Sequence, residues 1–195
     1  MTTILSNRVQ KVKPSATMAV SDKAKELKSQ GVQIISMGSG EPDFDTPDNI
    51  QKAAIHAIGA GETRYTAADG TPELKKAIRE KFKRENGLDY TANEVMVSCG
   101  GKQVFYNLCQ AILNEGDEVI IPTPYWVSYP DMAILADATP VFIEAGLDQD
   151  FKITPQQLEA SITSKSKLLV LNSPSNPTGS VYSKSEIEAL GEVLK

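Results

Sequence analysis

The sequence predicts an α/β fold: a three-layer α/β/α arrangement on a mostly parallel sheet, incomplete within its 195 residues, with an N-terminal arm outside the pattern. Three observations predict it. From about residue 94, short β-rich runs and helical patterns follow one another as β-α-β-α-β-α-β, and strands joined by helical crossovers pair in parallel. The run 168–171 is continuously apolar, the pattern of a strand buried on both faces. That run passes at once into NSPSNPTG, 172–179. A strand followed by a Pro/Asn/Gly cluster delivers a rigid loop to the carboxyl edge of an open sheet, where such folds bind ligands.

The elements follow in order. A helix is expected over 16–30, ended by Gly31. Thr46-Pro47, Thr71-Pro72 and Thr154-Pro155 each set an N-cap residue before a proline at the first helical position, opening helices over 47–59, 72–86 and 155–162. Thr154 with Gln157, and Ser183 with Glu186, form capping boxes, the second opening a helix over 184–195. Gly87 closes the 72–86 helix. Strands are expected over 94–99, 118–122, 140–143 and 167–171. Helices separate them over 102–113, with Val104, Leu108, Ala111 and Ile112 on one face, and over 127–136. Residues 1–45 read as an arm and small-domain segment, and 46–195 as a partial large domain. The last helix stops at Lys195 without a C-cap, and strand 167–171 has no later partner, so the sequence reads as cut from a longer parent.

Composition narrows the function. Hydrophobic residues at 41% and charged residues at 23% are those of a globular protein. A net charge of −5 with dispersed Lys and Arg argues against nucleic acid or an anionic membrane as partner. No apolar stretch has the length of a membrane span, and the start, MTTILSNRVQKVKPSA, lacks a signal-peptide core. Cys99 and Cys109 have no CxxC partner and read as buried reduced thiols of a cytoplasmic protein. The single histidine, His56, falls on a helix and reads as structural or surface, leaving metal sites and Ser/Cys–His pairs poorly supplied. Glu41, Asp43 and Asp45 lack calcium-loop periodicity and read as solvated turn residues.

Four constellations carry possible chemistry. In the 172–179 loop two prolines fix the backbone around Asn176, whose amide both donates and accepts; the alternative is an ordinary strand-to-helix connection. Gly100-Gly101-Lys102 sits between a strand and a helix, where backbone N–H groups favour an anion; a tight packing turn is the alternative. Pro124, Tyr125 and Trp126 follow strand 118–122, offering a ring to stack on a flat ligand or to plug the core. Gly38 and Gly40 flank Ser39 in a loop suited to a small anion or to turn chemistry alone. Together they set an anion cradle, a flat ring and a fixed amide on one sheet edge, and a phosphorylated aromatic cofactor would use all three.

Six collinear segments then carry a resemblance: KPSATMAV (13–20), GEPDFDTP (40–47), YTAADGTPELKKAI (65–78), GGKQ (100–103), PYWVSYPDM (124–132) and NSPSNPTG (172–179). The chain resembles the class I and II aminotransferases, pyridoxal-phosphate enzymes of fold type I, and most closely the N-terminal half of their bacterial aspartate aminotransferase branch. The resemblance implies that 46–195 is the cofactor-binding large domain, cut short. It implies that Gly100, Gly101 and Lys102 hold the cofactor phosphate and that Trp126 stacks on its pyridine ring. Asn176 would contact the cofactor 3′ oxygen and the substrate carboxylate, with a cis Asn176–Pro177 bond. Gly40 matches a backbone contact to the substrate α-carboxylate. Tyr65 matches a tyrosine reaching the phosphate of a neighbouring subunit, which implies a homodimer. Lys102, with Ser15 or Thr17, is the candidate for a distal carboxylate.

The Schiff-base lysine of the family, the aspartate facing the pyridine nitrogen and the arginine clamping the α-carboxylate all lie beyond the NPTG segment. No catalytic residue is therefore assigned, and the 195 residues by themselves are not expected to transaminate. The parent is expected to exchange an amino group between an amino acid and a 2-oxo acid, aspartate with 2-oxoglutarate first, then prephenate, aromatic or neutral substrates. A C–S lyase of the same fold is the next reading. A non-catalytic truncated product or a regulator's effector domain is another; the regulator expects an N-terminal DNA-binding helix-turn-helix that this sequence lacks.

Overall fold

The computed structural model describes residues 4–38 and 40–195; Ser39, singled out in the glycine loop, lies outside them. Two compact units form, Met1–Pro14 with Gly100–Lys195, and Ser15–Cys99. These boundaries fall elsewhere than the expected division between residues 45 and 46. Local bonds show why: α1 (Asn7–Lys11) is tied to Asp137 of the first unit by the Arg8 guanidinium at 3.1 Å, and the Val97 N–H donates to the Asp69 carbonyl at 3.0 Å inside the second.

In the unit Ser15–Cys99, α2 (Ala16–Ser29) starts where the Ser15 hydroxyl accepts from the Met18 N–H at 3.3 Å. Thr17, Ser21, Ala24 and Leu27, at helical spacing, make its half-buried stripe. The next helix, α3 (Asp48–Gly59), corrects an expectation. Pro47 has ψ 138° and is itself the N-cap, so Thr46 does not cap the helix; its carbonyl instead accepts from the Gln51 side chain. Helix α4 (Pro72–Lys81) starts as expected, with the Thr71 hydroxyl accepting from the Leu74 N–H at 3.3 Å. It then widens into a π-turn over Phe82–Asn86, closed by Gly87 at φ 68°. Gly70, at φ +105°, permits a close approach: a Cβ there would stand 2.7 Å from Val97 Cγ2. The buried Lys75 ammonium meets the Asp69 carboxylate, and that hydrogen bond holds the Asp69 carboxyl below its ordinary range.

The expected strand 94–99 does not form. Its first residue ends a 3₁₀ turn, Ala92–Glu94, and 95–98 join no ladder among the described residues. A strand exists only when its N–H and C=O groups find a partner strand, and the one at Val97 goes to a loop carbonyl. Cys99, expected to be buried, is exposed.

The other unit holds the sheet. Its elements are α5 (Gly100–Ile112), β1 (Glu118–Thr123), α6 (Ser128–Leu135), β2 (Thr139–Glu144), α7 (Pro155–Ser161), β3 (Ser166–Leu169) and α8 (Lys184–Val193). The sheet runs β2-β1-β3 and every pairing is parallel, with Ile120 opposite Val141 on one side and Leu169 on the other. Successive residues of the central strand point to opposite faces. Val119 and Ile121 pack with Cys109, Leu113, Met132 and Ala133 of the α5–α6 layer. Ile120 packs with Ile143 of β2 and with Leu158 and Leu190 of the α7–α8 layer. The three-layer α/β/α prediction is met, over three strands.

Both capping boxes form, at Thr154/Gln157 and Ser183/Glu186. The buried face of α5 is corrected. Phe105, Cys109, Ile112 and Leu113 meet the core, while Val104 and Leu108 stay exposed at 52% and 41%. Burial raises the Cys109 thiol pKa. Among the described residues no helix is long and apolar enough to cross a membrane.

Candidate active-site cleft

Parallel strands carry their loops to one edge, and here that edge is a cleft of about 730 Å³. Gly100, Gly101, Lys102, Trp126, Tyr129 and Asn176 are among the residues that line it. Three constellations separated in sequence thus come together: the start of α5, the β1–α6 loop and the loop after β3.

Each is positioned by its own local structure. Gly100, at φ +82°, turns the chain into α5, and a Cβ at Gly100 or Gly101 would meet nothing within 4 Å. The first N–H groups of a helix have no intrahelical acceptor, so this open, glycine-lined start presents donors and the positive end of the helix dipole. A cis bond at Thr123–Pro124 lies between β1 and Trp126, whose ring is half-buried. The Lys102 ammonium stands 5.1 Å from the Trp126 ring centroid, within cation–π range. The Tyr129 ring meets Trp126 at 5.2 Å and 83°.

The loop after β3 is held by its own side chains. The Asn172 side-chain oxygen accepts from the Asn176 N–H at 2.8 Å, and the Ser173 hydroxyl accepts from the Tyr182 N–H at 3.0 Å. The Ser175 N–H donates to the Ser180 carbonyl at 2.9 Å, closing the loop. The Asn176–Pro177 peptide is cis, as the resemblance implies. Asn176 is exposed on the cleft wall, where its amide can donate and accept.

Asn172 and Tyr129 join these residues in lining the cleft. Asn172 ties Asn176 from four residues upstream, and its place as the first polar residue after the apolar run was the available signal. Tyr129, whose phenol pKa burial raises, lies three residues after Trp126 as the second residue of α6.

Gly40, Tyr65, Ser15 and Thr17 belong to the unit Ser15–Cys99. Gly40 is open, with no atom within 4 Å of a built Cβ, and Tyr65 is fully exposed. Thr17 is half-buried on α2. The Ser15 oxygen is engaged as the cap of α2, leaving its hydroxyl proton to donate. Among the described residues no cluster of His, Cys, Asp and Glu could hold a metal ion, and His56 is exposed on α3.

The cleft brings together the open start of α5, the Trp126 ring and the Asn176 amide. The aminotransferase class I and II family matches residues 32–195. The chain belongs to that family. It is 60% identical over 190 residues to the aspartate/prephenate aminotransferase of Cereibacter sphaeroides, a match covering 97% of this chain and 48% of that protein. Bacillus sp. aspartate aminotransferase is 54% identical over 193 residues, covering 99% and 49%. The chain spans about half the length of the curated relatives it matches. Among solved structures, aspartate aminotransferase of Rhizobium meliloti superposes with a TM-score of 0.95 at 47% identity, covering 99% of this chain and 48% of that one. The Thermus thermophilus enzyme with maleate gives 0.94 at 49% identity, covering 98% and 50%. The aminotransferase fold therefore accounts for the whole architecture described above.

Proposed function

We propose that this chain carries the cofactor- and carboxylate-binding half of a pyridoxal-phosphate-dependent aminotransferase, one that moves an amino group between an amino acid, aspartate favoured, and a 2-oxo acid. The observation that carries the proposal is the cleft, where the open start of α5, the half-buried Trp126 and the Asn176 amide line one wall system. These residues fit a phosphorylated flat ring. Gly100 and Gly101 leave room for an anion against the helix start, and a half-buried indole offers a stacking surface. Bound there, pyridoxal phosphate supplies the electron sink that the amino-group exchange needs.

The residues of this chain bind and orient. The N–H groups at the start of α5, with the Lys102 charge, hold the phosphate. Trp126 fixes the plane of the ring. Asn176, steadied by Asn172, donates to the ring's 3′ oxygen and to a substrate carboxylate. Lys102, with Ser15 or Thr17, recognises the distal carboxylate of a dicarboxylic substrate, and the similarity to aspartate aminotransferases, one of them solved with maleate, supports that choice. Gly40 receives the α-carboxylate at its backbone. Tyr65 reaches a phosphate in a second copy, so the working form is a homodimer in the cytoplasm. A second reading, prephenate as amino acceptor, is favoured by the relatives named aspartate/prephenate aminotransferases.

In the complete protein, Lys102→Ala should raise KM for aspartate about tenfold or more, the range for a lost hydrogen bond to a charged group, and should cost alanine turnover less, because alanine loses only the Lys102 charge at the phosphate. Steady-state kinetics with both donors checks this, and an equal loss for both would assign Lys102 to the phosphate alone. Prephenate, supplied in place of 2-oxoglutarate, separates the two acceptor readings.

A further inference from the structure

The ring that the proposed cofactor would stack on does not stand alone. Trp126 meets Tyr129 at 5.2 Å and 83°, and Tyr129 meets Phe105 at 5.1 Å and 70°. The three rings form a T-shaped series in which each is held roughly perpendicular to the next, the geometry aromatic pairs favour. Both ends of the series are anchored. Phe105 lies one turn into α5, on the helix that begins at Gly100, and packs against the Cys109–Val119–Ile121 cluster. Trp126 precedes α6, and its carbonyl accepts from the Tyr129 N–H at 3.1 Å. Tyr129 is thus bound to Trp126 through backbone and ring at once. It also lines both the large cleft and a second cavity of about 20 Å³ beside Asn172 and Asn176.

We infer that Tyr129 is a positioning residue: its ring sets the plane of Trp126 and so the stacking surface of the cleft, and Phe105 backs it from the phosphate-binding helix. The inference rests on the reading of Trp126 as the cofactor's stacking partner. Without the Tyr129 ring, an indole on a loop is free to change rotamer, and a flat ligand then has to order it on binding. A tyrosine that merely filled the core would act on stability and leave the ring surface alone.

A double-mutant cycle in the complete protein separates these roles. Pyridoxal phosphate is titrated into the apo form, and its dissociation constant and induced circular dichroism are read together. Tyr129→Leu should weaken binding about threefold to tenfold, the span of an aromatic pair, and shift the dichroism. In a Trp126→Leu background the same substitution should change neither. Tyr129→Phe, which keeps the ring, should stay within about twofold of the parent. Equal losses in both backgrounds, no loss from Tyr129→Leu, or a Tyr129→Phe loss as large as that of Tyr129→Leu would each overturn the inference. If Tyr129→Leu does not fold, Phe105→Leu takes its place, with a smaller loss that must again vanish without Trp126. Trp126→Leu alone tests the underlying reading: if it costs no affinity, the stacking assignment falls, whereas a loss there with none from Tyr129→Leu overturns only the role of Tyr129.

Discussion

The two compact units treat their apolar residues in opposite ways. In the unit that holds the sheet, Val119, Ile120, Ile121, Cys109 and Leu158 are almost wholly buried, because helices cover both faces of a parallel strand. In the unit Ser15–Cys99, Val95 and Lys75 alone among the described residues are buried, and α3 buries nothing. Phe44 is 84% exposed, Ile55 69% and Ile58 67%. The fixed part of the candidate site, Gly100 to Lys102, Trp126 and Asn176, is mounted on the first kind of unit. A binding site gains from walls whose rotamers are locked by packing. Positional accuracy in this chain rests on a strand covered on both sides.

The largest expected effect breaks or keeps that contrast directly. Leu158→Ala empties a fully buried position and should cost about 2–5 kcal/mol. Ile55→Ala should stay within about 0.5 kcal/mol, as for an exposed site. Urea denaturation of the complete protein gives both values. A cost for Ile55→Ala as large as that for Leu158→Ala would show that the apolar surface of α3 is buried in the folded protein, and the contrast would then belong to the chain and not to the assembled molecule.

What the sequence made legible follows the same division between local and non-local causes. The starts of α7 and α8 were readable because a capping box is written in four consecutive residues, Thr154 to Gln157 and Ser183 to Glu186. Gly100–Lys102, Trp126 and Asn176 were readable because each falls where an apolar run ends or a helix begins. The strand expected at 94–99 was not, since pairing is decided by another segment and Val97 bonds instead to Asp69. The face of α5 was ambiguous, because Val104, Phe105, Leu108 and Cys109 give two overlapping apolar stripes, and only contact with Val119 and Ile121 selects one. Tyr129 and Asn172 escaped notice because each is proposed to act through a neighbour, Trp126 or Asn176, and such a dependence has no sequence signature.

A smaller effect depends on pH. In the sheet unit the Glu186 carboxylate accepts from the Lys152 ammonium at 2.8 Å and the Ser183 N–H at 2.6 Å, and these bonds, the lysine's first, bring its pKa down to about 2. A group with a depressed folded pKa binds more protons unfolded than folded below its ordinary value of 4.5. Its contribution is therefore complete above about pH 5 and is lost as pH falls toward 2. Melting curves of the parent and of Glu186→Gln should differ at neutral pH and converge near pH 2. In the other unit Asp69→Asn should show the same convergence on lowering pH, because the Lys75 hydrogen bond depresses the Asp69 pKa in the same direction. A parallel offset at every pH would mean that either pair acts through packing and not through charge.

The smallest effects test helix starts in the more exposed unit, where little tertiary burial masks them. Thr71 and Thr46 stand in the same Thr-Pro context, yet one caps and the other does not. Removing the Thr71 hydroxyl leaves the Leu74 N–H without its acceptor, so Thr71→Ala should cost about 1 kcal/mol. Thr46→Ala should cost no more than a few tenths, as for an ordinary surface change, because Thr46 contributes only its backbone carbonyl to Gln51 and alanine keeps that carbonyl. Urea midpoints of the two variants, read beside the parent, decide the matter. Equal costs would mean that α3 begins one residue earlier in solution, with Pro47 taking up helical ψ and the hydroxyl of Thr46 closing the first turn. Unequal costs would establish that identical dipeptides part company on a single torsion, ψ of the proline.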